Sequence, residues 1–373
     1  MDLLGVKRAL RATQWFSLCR CLHVIDAYLH GQPTCQGQFK ASPEDFEVTE
    51  LLDLPTSEPN EQKGEHQWLW VEKKGANTAF VASQLANFAG VKERDVSYSG
   101  LKDRHAVTFQ WFSVQLPGQD LLDWQQLDHP EFSVLHAALQ PRKLKTGTHR
   151  ANKFVLRIRD IDSQASFEAR WHEIVRLGVP NYFGAQRFGH GGQNIEQAKR
   201  WFAGELKRRP SRHQSGLYLS AARSLLFNRI VSARIAANRM TPEVGDAMML
   251  RGSQSFFVVE TVDETLLQRF NSGDIMLTAP MPGSGRWSTN AAIGQFEQDI
   301  CNAEPELMAG LLKQRVDASR RAILLHLEQP KISWLGDDCA QIEFALPRGS
   351  YATSVLRELI QGNETHDEVI SQQ

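Results

Sequence analysis

The sequence predicts an α/β or α+β protein in which a strand-rich domain is interrupted by a largely helical one. Alternating apolar and polar residues, typical of half-buried strands, recur before residue 178 and return at Ala340–Leu346. Helical spacing prevails between these parts. The composition changes at GVPNYFGAQRFGHGGQN (178–194), where five glycines and one proline break the periodicity. An inserted domain explains this order of blocks.

The first block begins with strands and a helix. Strands are predicted at Asp45–Glu50, at Trp68–Val71 and from Ala106 to about residue 114. Between the last two, Asn77 is a helix cap, apolar residues follow at helical spacing, and Gly90 ends the helix.

The later elements follow the same reasoning. Phe154, Leu156 and Ile158 alternate as in a strand, and Phe167, Trp171 and Ile174 share one helical stripe. In the inserted block, the helical stripes predict a long helix around 219–233 and another over Glu306–His326, with a short strand at Phe256–Val259 between them. A short closing helix is predicted at Ser354–Ile360.

Composition excludes several classes of protein. A chain of 373 residues is long enough for two domains, and its net charge of −1 gives no overall attraction to nucleic acid or to acidic lipid. The five cysteines form no CxxC pair, which argues against disulfides and structural zinc and indicates a reducing cytoplasm. No apolar run approaches the roughly 20 residues of a membrane span.

The N-terminal residues 1–23 differ from the rest of the chain. They carry Lys7, Arg8, Arg11 and Arg20 against the single acid Asp2, without the continuous apolar core of a secretory signal. A basic targeting peptide is one interpretation. A frayed extension that adds nothing to the fold is the interpretation we favour.

Familiar cofactor and metal motifs are missing. The sequence contains no P-loop, no GxGxxG with its strand and helix context, no HExxH, no zinc-deaminase signature and no GxSxG. We therefore expect an enzyme that uses neither cofactor nor metal.

Two dense basic clusters stand out against the neutral balance of charge. The first, in PRKLKTGTHRANK (141–153), contains Arg142, Lys143, Lys145, Arg150 and Lys153; the second, in LKRRPSRH (206–213), contains Lys207, Arg208, Arg209 and Arg212. Such clusters suit phosphate binding. The alternative is that each is a solvated surface.

The segment SGLKDRHAVTFQW (99–111) places one carboxylate, Asp103, between Lys102 and Arg104 just before a predicted strand. In isolation it would be read as a surface charge. Its context changes that interpretation, because five strings occur in order: KASPEDFEVTE, VSYSGLKDRHAVTFQW, RANKFVLRIRD, GVPNYFGAQRFG and LPRGSYATSVLREL. This set resembles the TruD family of tRNA pseudouridine synthases from about Tyr28 to Leu359.

The resemblance implies a fold and an activity. The fold would be a pseudouridine-synthase domain with a mixed, largely antiparallel sheet, formed by residues 24–177 and 327–373 and interrupted by a TruD-specific domain at 178–326. The activity would isomerise a uridine, at position 13 of certain tRNAs, to pseudouridine without a cofactor. tRNA is then the expected partner, and no membrane or obligatory protein partner is expected.

The resemblance also assigns roles to residues. Asp103 would be the catalytic aspartate, kept ionised by cations such as Lys102. Phe46, Asn152, Phe154 and Tyr351 would hold the flipped nucleotide, although core packing is an alternative for the two phenylalanines. Tyr351 stands where the family has phenylalanine, and Lys40 is expected near a phosphate or the carboxylate.

Two other functions stay open at this point. One is an RNA-binding module that has lost catalysis, and the other is an aspartate-dependent hydrolase such as a glycosidase, for which no second acid stands out. The sequence leaves open whether the carboxylate attacks C1′ or C6 or assists a glycal route. It does not indicate which tRNAs are modified or whether the chain oligomerises.

Overall fold

The structure is a computed structural model that describes residues 27–52 and 64–362. The predicted extension at 1–23 and most of the polar tail after Ile360 lie outside these ranges.

The strands and helices are numbered along the chain. The strands are β1 Gln38–Phe39, β2 Phe46–Leu51, β3 His66–Lys74, β4 Val96–Tyr98, β5 Val107–Gln115, β6 Phe132–Gln140, β7 Ala151–Arg159, β8 Val179–Pro180, β9 Ala247–Leu250, β10 Phe256–Val258, β11 Ile275–Met281, β12 Ser319–Ala322, β13 Leu324–Leu325, β14 Glu328–Trp334 and β15 Ala340–Pro347. The helices are α1 Thr78–Ala89, α2 Gln164–Leu177, α3 Gln193–Ala203, α4 Arg212–Ala236, α5 Glu264–Asn271, α6 Ala291–Asn302, α7 Pro305–Lys313 and α8 Ala352–Leu359.

The described chain divides into two compact units. One, the inserted unit, takes residues 27–31 and Gly178–Leu325; the other, the sheet unit, takes Gln32–Leu177 and residues 326–362. Residues 27–31, placed by the sequence with the strand-rich domain, lie with the inserted unit. There a ring nitrogen of His30 is 2.8 Å from the carbonyl oxygen of Gly178.

The sheet unit contains a nine-stranded sheet. Seven strands run in the order β14-β15-β7-β2-β5-β3-β6, while β1 pairs with β7 and β4 with β5. Every pair is antiparallel except β2 with β5, which is parallel. The mixed, largely antiparallel sheet predicted for the chain is confirmed.

One face of this sheet is covered by helices. Val81 and Leu85 of α1 are fully buried in a core with Leu69 and Phe112, which point from β3 and β5. On the other side of β2, Trp171 of α2 packs against Phe344 of β15, with ring centroids 6.2 Å apart. We call this side the helix face. Because side chains alternate along a strand, the intervening residues lie on the opposite face.

The inserted unit is rich in helices, as the sequence predicts, but it also has more strands than the one expected at Phe256–Val259. It contains a four-stranded antiparallel sheet, β10-β9-β11-β12, beside the long helix α4. The helix predicted over Glu306–His326 is wrong: α7 ends at Lys313, and Arg315 has a φ of +52°. Strand β12 follows because it pairs with β11 and because its Arg320 forms a buried ion pair with Glu297, 2.8 Å away.

Candidate active site

The loop between β4 and β5 (99–106) is held on the helix face by buried polar side chains. Gln110 donates from Nε2 to the carbonyl of Gly100 at 3.1 Å, and the hydroxyl of Thr78 accepts from the amide of Lys102 at 3.0 Å. The same hydroxyl donates to Oε1 of Gln110 at 3.1 Å. The main chain of the loop is therefore held by one side chain of β5 and one of α1.

Asp103 projects from this loop with a partly exposed carboxylate. Its Oδ2 accepts from Nζ of Lys40 at 2.8 Å, and its Oδ1 accepts from the amide of His105 at 3.0 Å. The Asp103 side chain is 37% exposed, whereas that of Lys40 is 10% exposed. A charged oxygen that is both fixed and accessible can act as a nucleophile.

The charge state of Asp103 follows from its neighbours. Burial, the largest single influence, would raise the pKa of its carboxyl, but the charge and hydrogen bond of Lys40 and the His105 amide all lower it. Together they hold the pKa below its usual value. Asp103 is therefore ionised at neutral pH.

Lys40 reaches Asp103 because of the strand pairing. Strands β2 and β5 are parallel, with Glu47 opposite Val107, so the chain segments that precede them meet at one edge. Lys40 itself has a φ of +58°, a conformation that is costly for a residue with a side chain. Its Nζ also lies 4.6 Å from the centre of the Phe46 ring.

Lys102 is directed away from the Asp103 carboxylate. Its Nζ lies 3.1 Å from Oε1 of Glu50, a fully buried carboxylate that also accepts from the amide of Trp111 at 3.0 Å. His149 is next to the same oxygen at 3.3 Å, and burial, aided by the charge of Lys102, lowers its pKa. The sequence led us to expect that the adjacent Lys102 keeps Asp103 ionised. In the structure a residue more distant in sequence, Lys40, has this role.

Three of the residues expected to hold the nucleotide lie on β2 and β7. Phe46 and Phe154 are 5% and 6% exposed, with ring centroids 6.2 Å apart, and Phe154 stacks on Phe344 at 5.5 Å. Asn152 lies opposite Glu50 in the strand register, and its buried Oδ1 has no hydrogen-bond partner among the described residues. A buried acceptor without a partner is unusual in a folded protein and calls for an explanation.

Tyr351 lies outside the sheet and immediately precedes α8. The turn before it is tied to the loop before β7, because the guanidinium of Arg348 donates to the carbonyl of Gly147 and its amide donates to that of Arg150 at 3.2 Å. The turn that carries Tyr351 thus adjoins the loop that leads into Asn152.

Sequence reasoning missed the buried polar residues beneath the loop, chiefly Lys73, Glu50 and His149. A signal for Lys73 was present. Leu69 and Val71 define the buried face of β3, and period two then places Lys73 on that same face. A lysine at such a position marks a buried charge.

The first basic cluster is anchored by an apolar residue. Arg142, Lys143 and Lys145 face solvent, while Leu144 between them is buried against two tryptophans, Trp68 and Trp111. Within the described ranges, no carboxylate lies within 4.0 Å of these three cations. The two other members of the cluster are paired, Arg150 with Glu328 at 3.1 Å and Lys153 with Glu343 at 3.0 Å.

The second basic cluster lies at the start of the long helix of the inserted unit. Lys207–Arg209 precede α4, and Arg212 begins it. In the part of the chain that the structure describes, these four cations also have no carboxylate within 4.0 Å. Their charges are therefore available to an anionic ligand.

A separate cavity of about 490 Å³ opens in the sheet unit and does not include Asp103. Its wall contains Trp70, Trp111, His136 and Arg150. Trp70 and Trp111 pair across β3 and β5 on the face opposite the helices.

The described part of the chain contains no cluster of three or more side chains suited to a metal ion. None of its helices has the length and apolarity of a bilayer span.

Comparison with known proteins supplies the context for this site. The family model described as TruD, tRNA pseudouridine synthase D, matches residues 23–199 and 202–359. The chain is 48% identical over 334 residues to the tRNA pseudouridine synthase D of Idiomarina loihiensis, covering 89% of this chain and 94% of that protein. It is 45% identical over 335 residues to the protein of the same name from Proteus mirabilis, with the same coverage.

A solved structure shares the fold. It is described as the putative tRNA pseudouridine synthase D (TruD) from Methanosarcina mazei and superposes with a TM-score of 0.68 at 22% identity. The alignment covers 91% of this chain and 97% of that one.

Proposed function

Because the chain belongs to the TruD family of tRNA pseudouridine synthases, we propose that Asp103 is the carboxylate with which it isomerises uridine in tRNA. The observation that carries this assignment is the pair formed by Asp103 and Lys40. The pair keeps the carboxylate ionised on a side chain that is 37% exposed, on a loop fixed by Gln110 and Thr78.

The reaction needs a carboxylate, a fixed sugar and a base that can turn. The bond between C1′ and N1 breaks, a bond between C1′ and C5 forms, and the proton on C5 is exchanged for one on N1, so the product is an isomer. Asp103 can add to C1′, add to C6 or assist a glycal route. Burial would raise its pKa, but Lys40 holds that pKa low, and an ionised carboxylate suits all three routes. None of these routes needs a metal or cofactor.

The uracil base is proposed to lie over β2 and β7. The Oδ1 of Asn152 would accept the N3–H of uracil, which satisfies an oxygen that otherwise has no partner among the described residues. Phe46 and Tyr351 would supply the stacking surfaces. Phe154 would support Phe46 from behind, since the two rings meet edge to face. Lys40 would also approach the phosphate of the target nucleotide.

We further propose uridine 13 as the target, the cytoplasm as the compartment, and tRNA as the only partner that the reaction requires. The sheet unit would carry the chemistry, and the inserted unit would contact the tRNA. The Lys207–Arg212 cluster supports the second assignment, because exposed cations without nearby carboxylates bind phosphates.

A glycosidase-like hydrolase would need a second, accessible carboxylate near Asp103, and the candidate, Glu50, is buried. Glu50 is the acid linked to Asp103 through neighbouring Lys102, but its side chain is 0% exposed and already binds Lys102 and the amide of Trp111. With no exposed surface on its side chain and both oxygens engaged, it is poorly placed to activate a water molecule.

The proposal is tested by incubating the protein with unmodified tRNA and mapping pseudouridine by carbodiimide treatment and primer extension. A single stop at uridine 13 is expected with the native chain and none with Asp103→Asn. Binding without any modification would indicate an RNA-binding module, and release of free uracil would indicate a hydrolase. A stop at another uridine would retain the activity and reject position 13.

A further inference from the structure

A lysine is buried beneath the Asp103 loop. Lys73 is the penultimate residue of β3, on the helix face, and is 0% exposed. Its Nζ donates to the main-chain carbonyl of Asp103 at 2.7 Å and to that of Ala76 at 2.9 Å. The ammonium therefore joins the catalytic loop to the turn that leads into α1.

Burial of the Lys73 ammonium costs free energy, and the packing of its side chain does not offset that cost. Moving an ammonium out of water is strongly unfavourable unless it is paired. Yet no carboxylate oxygen in the described ranges lies within 4.0 Å of this Nζ. A methionine would fill the same space without the cost. A charge kept at such a position indicates a role in the site.

The groups around Lys73 make that role specific. From the loop, the negative charge of Asp103 favours the ammonium and the positive charge of Lys102 opposes it. The ammonium of Lys40 and the main-chain amide of His105 both donate to the Asp103 carboxylate. From the turn before α1, only the Ala76 carbonyl reaches the ammonium. Lys73 thus holds the main chain of Asp103, whereas Lys40 holds its side chain.

We infer that Lys73 is a positioning residue that fixes the direction of the Asp103 carboxylate by a charge-assisted hydrogen bond to the carbonyl of the same residue. Rotation of that peptide group would swing the carboxylate away from C1′ or C6. A displacement of about 1 Å lowers rates by roughly a hundredfold. This inference rests on the proposed role of Asp103.

The pH dependence provides a signature. Burial lowers the pKa of Lys73 to about 8, although the charge of Asp103 opposes the shift. Above that pH the amine keeps two N–H donors but loses the charge that strengthens them. Because the pKa is lower in the folded protein than in the unfolded chain, the charged form destabilises the fold. Stability should therefore rise as pH increases through 8 towards 10.5, while kcat falls.

Two variants separate the effect of the Lys73 hydrogen bonds from the effect of its charge. Lys73→Met keeps the volume and removes every donor, whereas Lys73→Gln keeps two neutral N–H donors. We expect kcat on unmodified tRNA to fall about a hundredfold in the methionine variant and about tenfold in the glutamine variant, with KM unchanged in both. Both variants remove the cost of a buried charge. The melting temperature of Lys73→Gln should therefore not fall, whereas in Lys73→Met this gain is offset by the loss of the donor to the two carbonyls.

The pH profiles complete the test. Dividing the wild-type kcat profile by that of Lys73→Gln removes any titration of the tRNA itself, and the ratio should decline above pH about 8. A methionine variant that melts like wild type and turns over within twofold of it would overturn the inference, as would a flat ratio. If the methionine variant does not fold, the ratio for the glutamine variant decides alone. An inactive wild type would instead overturn the proposed function.

Discussion

The ammonium of Lys40 lies 2.8 Å from Oδ2 of Asp103, although 63 residues separate the two in the chain. The contact depends on the single parallel pair of the large sheet, β2 with β5, which brings the segments before both strands to one edge. The charge state of the carboxylate therefore depends on the fold, through Lys40, as well as on its sequence neighbour His105.

Replacing the nucleophile tests the centre of the proposal. Asp103→Asn keeps the shape of the side chain but removes its charge, so pseudouridine formation should fall by at least roughly a thousandfold. Affinity for tRNA should change little, because the cations that bind phosphate are unaltered. Single-turnover assays and filter binding measure the two quantities. Turnover comparable to wild type would reject the assignment.

Replacing Lys40 should move the acid limb of the pH profile. In Lys40→Met the main influence that lowers the pKa of Asp103 is removed while burial remains, so that pKa should rise. The acid limb of kcat/KM should then shift to higher pH, and Lys40→Arg should restore much of it. The stability that ionised Asp103 contributes in the wild type is lost as pH falls through its lowered pKa. An unshifted limb in the methionine variant would contradict the electrostatic role.

Asn152 should show opposite effects on stability and activity. Asn152→Leu removes a buried oxygen that has no partner among the described residues, so the free energy of unfolding should stay the same or increase. The same change removes the proposed acceptor for uracil, so kcat/KM should fall roughly tenfold to a hundredfold. Denaturant unfolding and initial rates check both. If Asn152 only packs, kcat/KM will stay near that of wild type.

The first basic cluster should bind phosphates without sequence specificity. Changing Arg142, Lys143 and Lys145 to alanine should weaken binding of any tRNA to a similar degree. The slope of log affinity against log salt should fall by roughly 0.7–0.9 for each phosphate that the protein no longer neutralises. Filter binding over a salt series measures the slope. The Lys207–Arg212 cluster should behave likewise, and an unchanged slope in both variants would leave these residues as solvated surface.

Chelation should leave activity intact. The proposed chemistry uses the Asp103 carboxylate, and the described residues contain no cluster suited to a metal ion. Turnover after dialysis against EDTA should match that of the untreated protein, provided that the tRNA is refolded with magnesium beforehand. A requirement for metal that persists with prefolded tRNA would mean that the chemistry differs from that proposed.

Two kinds of strand were missed by the sequence analysis. Strand β14 alternates the apolar residues Pro330, Ile332 and Trp334 with polar ones, but it lies at the sheet edge and contains a proline, which argues against a strand when only the sequence is known. Strands β9 and β11 are almost continuously apolar, and such runs cannot be distinguished from buried helix by periodicity. For this reason the sequence does not predict these two strands of the inserted unit.

The site was predictable only in part for a related reason. The resemblance of GLKDRH to a family motif indicated Asp103, but the cation nearest in sequence, Lys102, binds Glu50 instead. Which lysine reaches Asp103 depends on strand order and register, which act over long distances along the chain. The burial of Lys73 was the one feature of the site that a local pattern already contained.

The position of β15 has a consequence for how the protein is made. It lies between β14 and β7, and about 180 residues separate it from β7 along the chain, most of them in the inserted unit. A ribosome adding about 5–20 residues per second needs roughly 10–35 s to produce that stretch. During this interval most of β7 has no neighbour on the side that β15 will occupy, and an unpaired edge is a template for aggregation. The nascent chain is therefore most vulnerable while the inserted unit is being synthesised.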